Sequence, residues 1–143
     1  MIGLPPIDAL LAHRPPMRFV TSIVDNGETG FICAGRIPAQ CALVSDGSAP
    51  ALAALELAAQ AAATWEALRR WREGGVAAPR VGYLVALRDV IFFAACIPAE
   101  RSLTAVVRLE AAALPLAHYE VEVALDDAQV LRGTIATFLT AEG

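Results

Sequence analysis

The stretch LELAAQ, residues 55–60, sets Glu56 and Gln60 four residues apart in a segment otherwise built from Ala and Leu. Residues at that spacing share one face of a helix. A carboxylate in so apolar a setting is expected to have a raised pKa, which suits general acid–base work near neutral pH. Gln60 would orient it, or bond a substrate carbonyl. The structural alternative is an arginine partner for Glu56 and a strand-edge carbonyl for Gln60. The chain has two imidazoles, His13 and His118. In LAHYEVEV, alternation puts His118 with Glu120 and Glu122 on a strand face expected to be solvated. Cys33, Cys41 and Cys96 are odd in number and lack metal-ligand spacing, so free thiols are expected and a zinc site is not.

The elements that must position these groups follow from period and punctuation. IDALLA (7–12) reads as a short helical turn closed by Pro15 and Pro16. Residues 17–25 and 29–37 alternate and read as strands of a hairpin around Asn26 and Gly27. Residues 38–50 have no period and read as a loop, with Ser48 or Asp46 as helix cap and Pro50 at the first helical position. From Ala51 to about Glu73 the chain favours helix, and Gly74-Gly75 ends it. Residues 80–96 read as a long strand bulged near Asp89, followed by strands over 102–114, 116–125 and 129–140. Strands grouped around one long helix predict an α+β fold, an antiparallel sheet curled about a central helix. Between Ala51 and Ala63 only Glu56 and Gln60 are polar, so that helix is expected to be buried on all sides. Trp65 should pack beneath the sheet, Trp71 over the helix end, and Phe92 and Phe93 in the core or along an acyl tunnel.

A chain of 143 residues is one domain by length, with enough material for a core. Hydrophobic residues make up 57% and charged residues 18%, an apolar balance that implies surface covered by a partner subunit. The net charge of −4, with no aromatics interleaved in a basic patch, argues against nucleic acid. Arg69, Arg70 and Arg72 form a solvated helix end or, more pointedly, a docking patch for an acidic partner. The start MIGLPPIDALL lacks a positive n-region, and no apolar run reaches membrane-spanning length, so a cytoplasmic, membrane-free protein is expected.

Several motifs in order resemble the hotdog-fold 3-hydroxyacyl carrier-protein dehydratases. LAHRPPMRFVTSIVD (11–25) is similar to that family's opening Leu-Pro-His-Arg segment, and PALAALELAAQAA (50–62) to its central helix, where Glu precedes Ala-Gln. The branch from aryl polyene and related pigment clusters resembles it best. His13 to Met17, Asp46 to Pro50, Glu56 to Gln60, VGYLVALRDV (81–90) and LRGTIATFL (131–139) match that branch's pattern. The resemblance implies a six-stranded antiparallel sheet wrapped around one long helix. It also implies dehydration of a 3-hydroxyacyl thioester carried on the phosphopantetheine of acyl carrier protein, or on coenzyme A, with no further cofactor. The active site would lie at a two-fold interface, in a homodimer or a heterodimer with another hotdog subunit. The implied carbonyl donor is the N–H of Ala51, just after Pro50.

The sequence departs from the family where the catalytic His usually stands. Counting back fourteen residues from Glu56 reaches Ala42, and residues 38–50 contain no His. His13, Asp46 and Cys41 are the candidates to replace it. His13 is otherwise a structural residue, Asp46 a turn residue, and Cys41 a thiol with no His or Lys beside it in sequence. The catalytic set is therefore Glu56, Asp46 and His13, and the substrate-binding set Gln60, Ala51, Pro50 and Cys41. Two other functions remain open: a thioesterase of the same fold, which needs only the helix carboxylate, and a non-catalytic partner of an active hotdog subunit.

Overall fold

The computed structural model describes residues 3–75, 82–113 and 115–139. Its elements in chain order are α1 (Ile7–Leu10), β1 (Val20–Asn26), β2 (Gly30–Gly35), β3 (Ser48–Pro50), α2 (Leu52–Arg72), β4 (Gly82–Phe92), β5 (Cys96–Pro98), β6 (Leu103–Ala113), β7 (Leu116–Leu125) and β8 (Ala128–Leu139). Six strands form one antiparallel sheet in the order β1-β2-β6-β7-β8-β4. The sheet curls around α2, which is the hotdog arrangement expected from the sequence. Residues 80, 81, 114 and 140 of the expected strands lie outside the described residues.

Alternation sets which face of each strand meets the helix. In β7, Ala117, Tyr119, Val121 and Val123 are buried, while Glu120 is exposed and His118 and Glu122 are half-buried on the opposite face. Trp65 of α2 is fully buried between Phe31 and Tyr119, with ring centroids 6.0 and 6.1 Å away. Small residues let the sheet approach. A Cβ on Gly35 would lie 2.6 Å from Leu57 Cδ1 and 2.7 Å from the carbonyl oxygen of Phe19. The bulge expected near Asp89 is present: Asp89 has φ 54°, and the β4–β8 register slips between Arg88 and Ile91. Gly74, at φ 91°, ends α2 as a left-handed cap, with the Gly75 N–H donating to the Arg70 carbonyl at 3.1 Å.

Four expectations are corrected. Residues 17–19 are not part of β1, because the Gln60 side chain takes the backbone groups of Met17 and Phe19 that a ladder would have used. The stretch 38–50 is not all loop: Ser48–Pro50 pairs with Cys96–Pro98, so the long strand expected through 96 breaks after Phe92. Pro50 belongs to β3, the cap position falls on Ala51, and neither Asp46 nor Ser48 caps α2 with its side chain. Finally, α2 is not buried all round. Leu52 is 60% exposed, and Glu56, Ala59 and Ala63 are half-buried, forming one open stripe at helical spacing.

The far half of α2 is fastened by a buried polar cluster. Tyr119 Oη donates to Glu66, Arg69 Nη2 donates to Tyr119 Oη at 3.1 Å, and the Arg69 guanidinium lies 4.5 Å from the Trp65 ring centroid. Burial, then the Glu66 charge and bond, push the Tyr119 phenol above its ordinary range, so it stays a donor. Arg69 therefore belongs to the interior rather than to a docking patch. Phe92 and Phe93, expected in the core, are 40% and 51% exposed. Tyr119→Phe should destabilise the fold by about 1–3 kcal/mol in chemical denaturation, because it leaves a buried carboxylate short of a donor. Gly35→Ala should cost a similar ~1–3 kcal/mol, since the added methyl meets both Leu57 and backbone.

Candidate active site

The site is built where α2 meets the segment between α1 and β1. Gln60 is 1% exposed, and all of its polar valences in the structure point to that junction. Its Oε1 accepts from the Phe19 N–H at 2.8 Å, and its Nε2 donates to the Met17 carbonyl at 2.8 Å and to Glu56 Oε1 at 3.1 Å. Thr64 Oγ1 donates to the Gln60 carbonyl at 2.8 Å, tying off the next turn. Gln60 thus binds backbone just before β1 rather than a strand-edge carbonyl, and the same amide group reaches Glu56.

Among the described residues, no arginine pairs with Glu56. His13 Nε2 lies 3.1 Å from Glu56 Oε1, the same oxygen that Gln60 reaches. Among the described residues the second carboxylate oxygen, Oε2, has no hydrogen-bond partner. Both side chains remain open, His13 at 40% and Glu56 at 37%. The expected rise in the Glu56 pKa is corrected. Partial burial pushes it up, but the bonds from His13 and Gln60 and the His13 charge outweigh that and hold it below its ordinary value. Glu56 is therefore an ionised carboxylate at neutral pH.

The other candidates separate from this pair. Asp46 is exposed at φ 53°, and with Gly47 it forms a two-residue turn in which Ser45 and Ser48 exchange backbone bonds of 2.9 and 3.2 Å. It brings no second carboxylate to Glu56 in this chain. The Ala51 N–H donates to the Ala95 carbonyl at 3.1 Å, so it is not left for a thioester carbonyl. Pro50 is exposed in β3. Cys41 is buried, with its Sγ 3.4 Å from Met17 Sδ, which is its side-chain contact in the structure. Cys33 is buried, and desolvation pushes its thiol up to about 12, so it is inert. What sequence reasoning missed is the Arg14 guanidinium, whose Nη1 donates to the carbonyls of Leu11, Ala12 and His13 at 3.3, 3.4 and 3.5 Å and so braces the loop that carries His13.

Two hollows lie elsewhere. One of about 310 Å³ on the outer sheet face is lined by charged side chains including Arg108, Glu120, Glu122 and Arg132. Another of about 230 Å³ is lined by Pro15, Pro16, Arg18 and Arg36, whose guanidinium groups pair with Asp8 and Glu100. Glu56 lines neither of these two, and its side chain and that of His13 lie on a partly open shelf of the subunit. Among the described residues, no group of three or more His, Cys, Asp or Glu is placed to hold a metal ion, and no helix is long and apolar enough to cross a membrane.

A family model described as ApeP-like, ApeP dehydratase, matches residues 5–142. No curated protein matches the chain. Among solved structures, the dehydratase heterocomplex ApeI:P from Xenorhabdus doucetiae is similar with a TM-score of 0.86 and 20% identity, over 98% of this chain and 94% of that one. An HP0420 homologue from Helicobacter felis gives 0.67 and 14%, over 100% and 95%. A hypothetical thioesterase with coenzyme A from Streptococcus pneumoniae TIGR4 gives 0.59 and 12%, over 85% and 86%. At these identities the structural likeness is one of fold.

Gln60→Leu should destabilise the protein by about 2–4 kcal/mol in urea melts, because it orphans the buried Phe19 N–H and removes a donor from Glu56. Glu56 has a lower pKa folded than unfolded, so its contribution to stability is present above the unfolded carboxylate range. It is lost as pH falls through the folded value. The stability gap between wild type and Glu56→Gln should therefore be widest near neutral pH and should close on acidification.

Proposed function

The chain belongs to the ApeP-like dehydratase family, and on that premise we propose that it removes water from a 3-hydroxyacyl thioester with Glu56 as a reacting carboxylate. The observation that carries this reading is the state of that side chain. One oxygen accepts from Gln60 and lies 3.1 Å from His13 Nε2, the other has no partner among the described residues, and the group stays ionised in a half-buried place. A carboxylate so held is oriented before substrate arrives and keeps one oxygen to accept a proton, which is what proton transfer at the α-carbon of a thioester requires. The substrate is carried on phosphopantetheine, of acyl carrier protein or of coenzyme A, and no other cofactor takes part.

The second half of the reading concerns assembly. β4 is an edge strand, and its Tyr83, Val85 and Leu87 are 56%, 51% and 50% exposed. A long apolar edge left in water is a template for pairing, and burying it against another sheet edge satisfies both its backbone and its side chains. We infer that another hotdog subunit covers this edge and also roofs the open shelf on which Glu56 sits. The heterocomplex named for the ApeI:P structure supports a paralogous subunit over a second copy.

The direct test is mass spectrometry of a medium-chain 3-hydroxyacyl carrier protein incubated with the protein, alone and co-expressed with a hotdog subunit. The expected product is the carrier-bound enoyl chain, one water lighter, with Glu56→Gln lowering the rate by about 100-fold or more. Release of free acid would instead make the protein a thioesterase. An unchanged substrate in both preparations would make it a non-catalytic subunit.

A further inference from the structure

Elimination of water needs a base for the C2 proton and an acid for the C3 hydroxyl. The stretch 38–50 supplies no histidine for either task, and Ala42, where the family pattern sets one, is exposed. His13 does stand beside Glu56, with Nε2 3.1 Å from Oε1. It is held there from behind: Arg14 Nη1 bonds the carbonyls of residues 11–13, and Gln60 binds the Met17 carbonyl further along the same segment. Among the described residues, the other ring nitrogen of His13, Nδ1, and the oxygen Oε2 of Glu56 have no hydrogen-bond partner, and both side chains are partly exposed.

We propose that His13 and Glu56 of one subunit form the acid–base pair of this dehydratase, with Glu56 as the base at C2 and His13 as the acid at the C3 hydroxyl. This rests on the dehydratase reading above. The division of roles follows from the geometry. The Gln60 N–H that donates to Glu56 Oε1 and the His13 imidazole 3.1 Å from the same oxygen stabilise the anion and leave Oε2 to accept a proton. The imidazolium form of His13 uses Nε2–H to hold the carboxylate and keeps Nδ1–H to give away. In the step, Oε2 takes the C2 proton and the C2–H electron pair becomes the C2=C3 π bond. The C3–O bond breaks, and its oxygen leaves as water with the Nδ1 proton. Glu56 ends protonated and His13 neutral. Both are open to solvent, which removes the one proton and restores the other.

The test separates an acid from a residue that only positions Glu56. His13→Gln keeps an N–H donor near the place of Nε2 but has no proton to give, and His13→Asn serves as a second variant should the first fail to fold. Each is compared with wild type and Glu56→Gln, in the preparation in which wild type is active, on a 3-hydroxyacyl and a 3-chloroacyl carrier protein. Chloride departs without protonation, so its elimination needs the base alone. The expected result is a loss of about 100-fold or more for His13→Gln on the hydroxy substrate, and no more than about ten-fold on the chloro substrate. Glu56→Gln should lose both. A His13→Gln protein with near wild-type dehydration would overturn the proposal, as would one that loses both eliminations equally. If wild type itself dehydrates nothing, the dehydratase reading fails and this pair with it, which the first measurement alone reveals.

Discussion

One buried carboxamide ties the functional part of the molecule together. Gln60 replaces a strand partner for residues 17–19, accepting from the Phe19 N–H and donating to the Met17 carbonyl. A buried backbone group without a partner costs about 1–3 kcal/mol, so this side chain decides whether the chain can leave the sheet before β1 begins. Because it does, the segment from α1 can cross the open stripe of α2 instead of extending the sheet. His13 rides on that segment, and Glu56 sits one turn before Gln60 on the helix. The meeting of His13 and Glu56 is therefore a consequence of a structural hydrogen-bond set, reinforced by Arg14 on the loop side.

The polarity of α2 falls into two unlike parts. Near its C-terminal half, Glu66, Tyr119 and Arg69 are joined by hydrogen bonds that fasten the helix to β7. Near its start, Glu56 opens onto a stripe that the sheet does not cover. Six strands curl around most of the helix, yet leave the line Leu52, Glu56, Ala59 and Ala63 partly bare. Among the described residues, that bare line and the apolar β4 edge are places where the single subunit leaves apolar surface open, in keeping with its apolar composition. In the proposed assembly, one covering subunit would close both places and exclude water from Glu56.

Much of this was legible in the sequence for definite reasons. Alternation in β7 and the double glycine after α2 are local signals, and they located those elements closely. The bulge at Asp89 showed as a charged residue interrupting an apolar strand. Residues 17–19 misled because their alternation suits a strand, while the group that unpairs them lies more than forty positions away, in Gln60. The short pairing of Ser48–Pro50 with Cys96–Pro98 is equally non-local and left no period to read. Glu56 and Gln60 stood out as polar residues in an alanine helix, but the direction of the Glu56 shift depends on His13, which spacing alone does not bring to it. Asp46, also a candidate, was resolved by backbone: a left-handed turn position needs an Asp or a Gly for reasons unrelated to chemistry.

The claim at the centre is that His13 and Gln60 keep Glu56 an anion with one oxygen free. Carbon-13 NMR of the labelled Glu56 side-chain carboxyl, titrated through the acid range in the folded protein, tests it most directly. The expected midpoint lies below that of an ordinary glutamate and moves up in Gln60→Leu, as a donor is lost. A midpoint above the ordinary value, or one indifferent to Gln60, would contradict the claim.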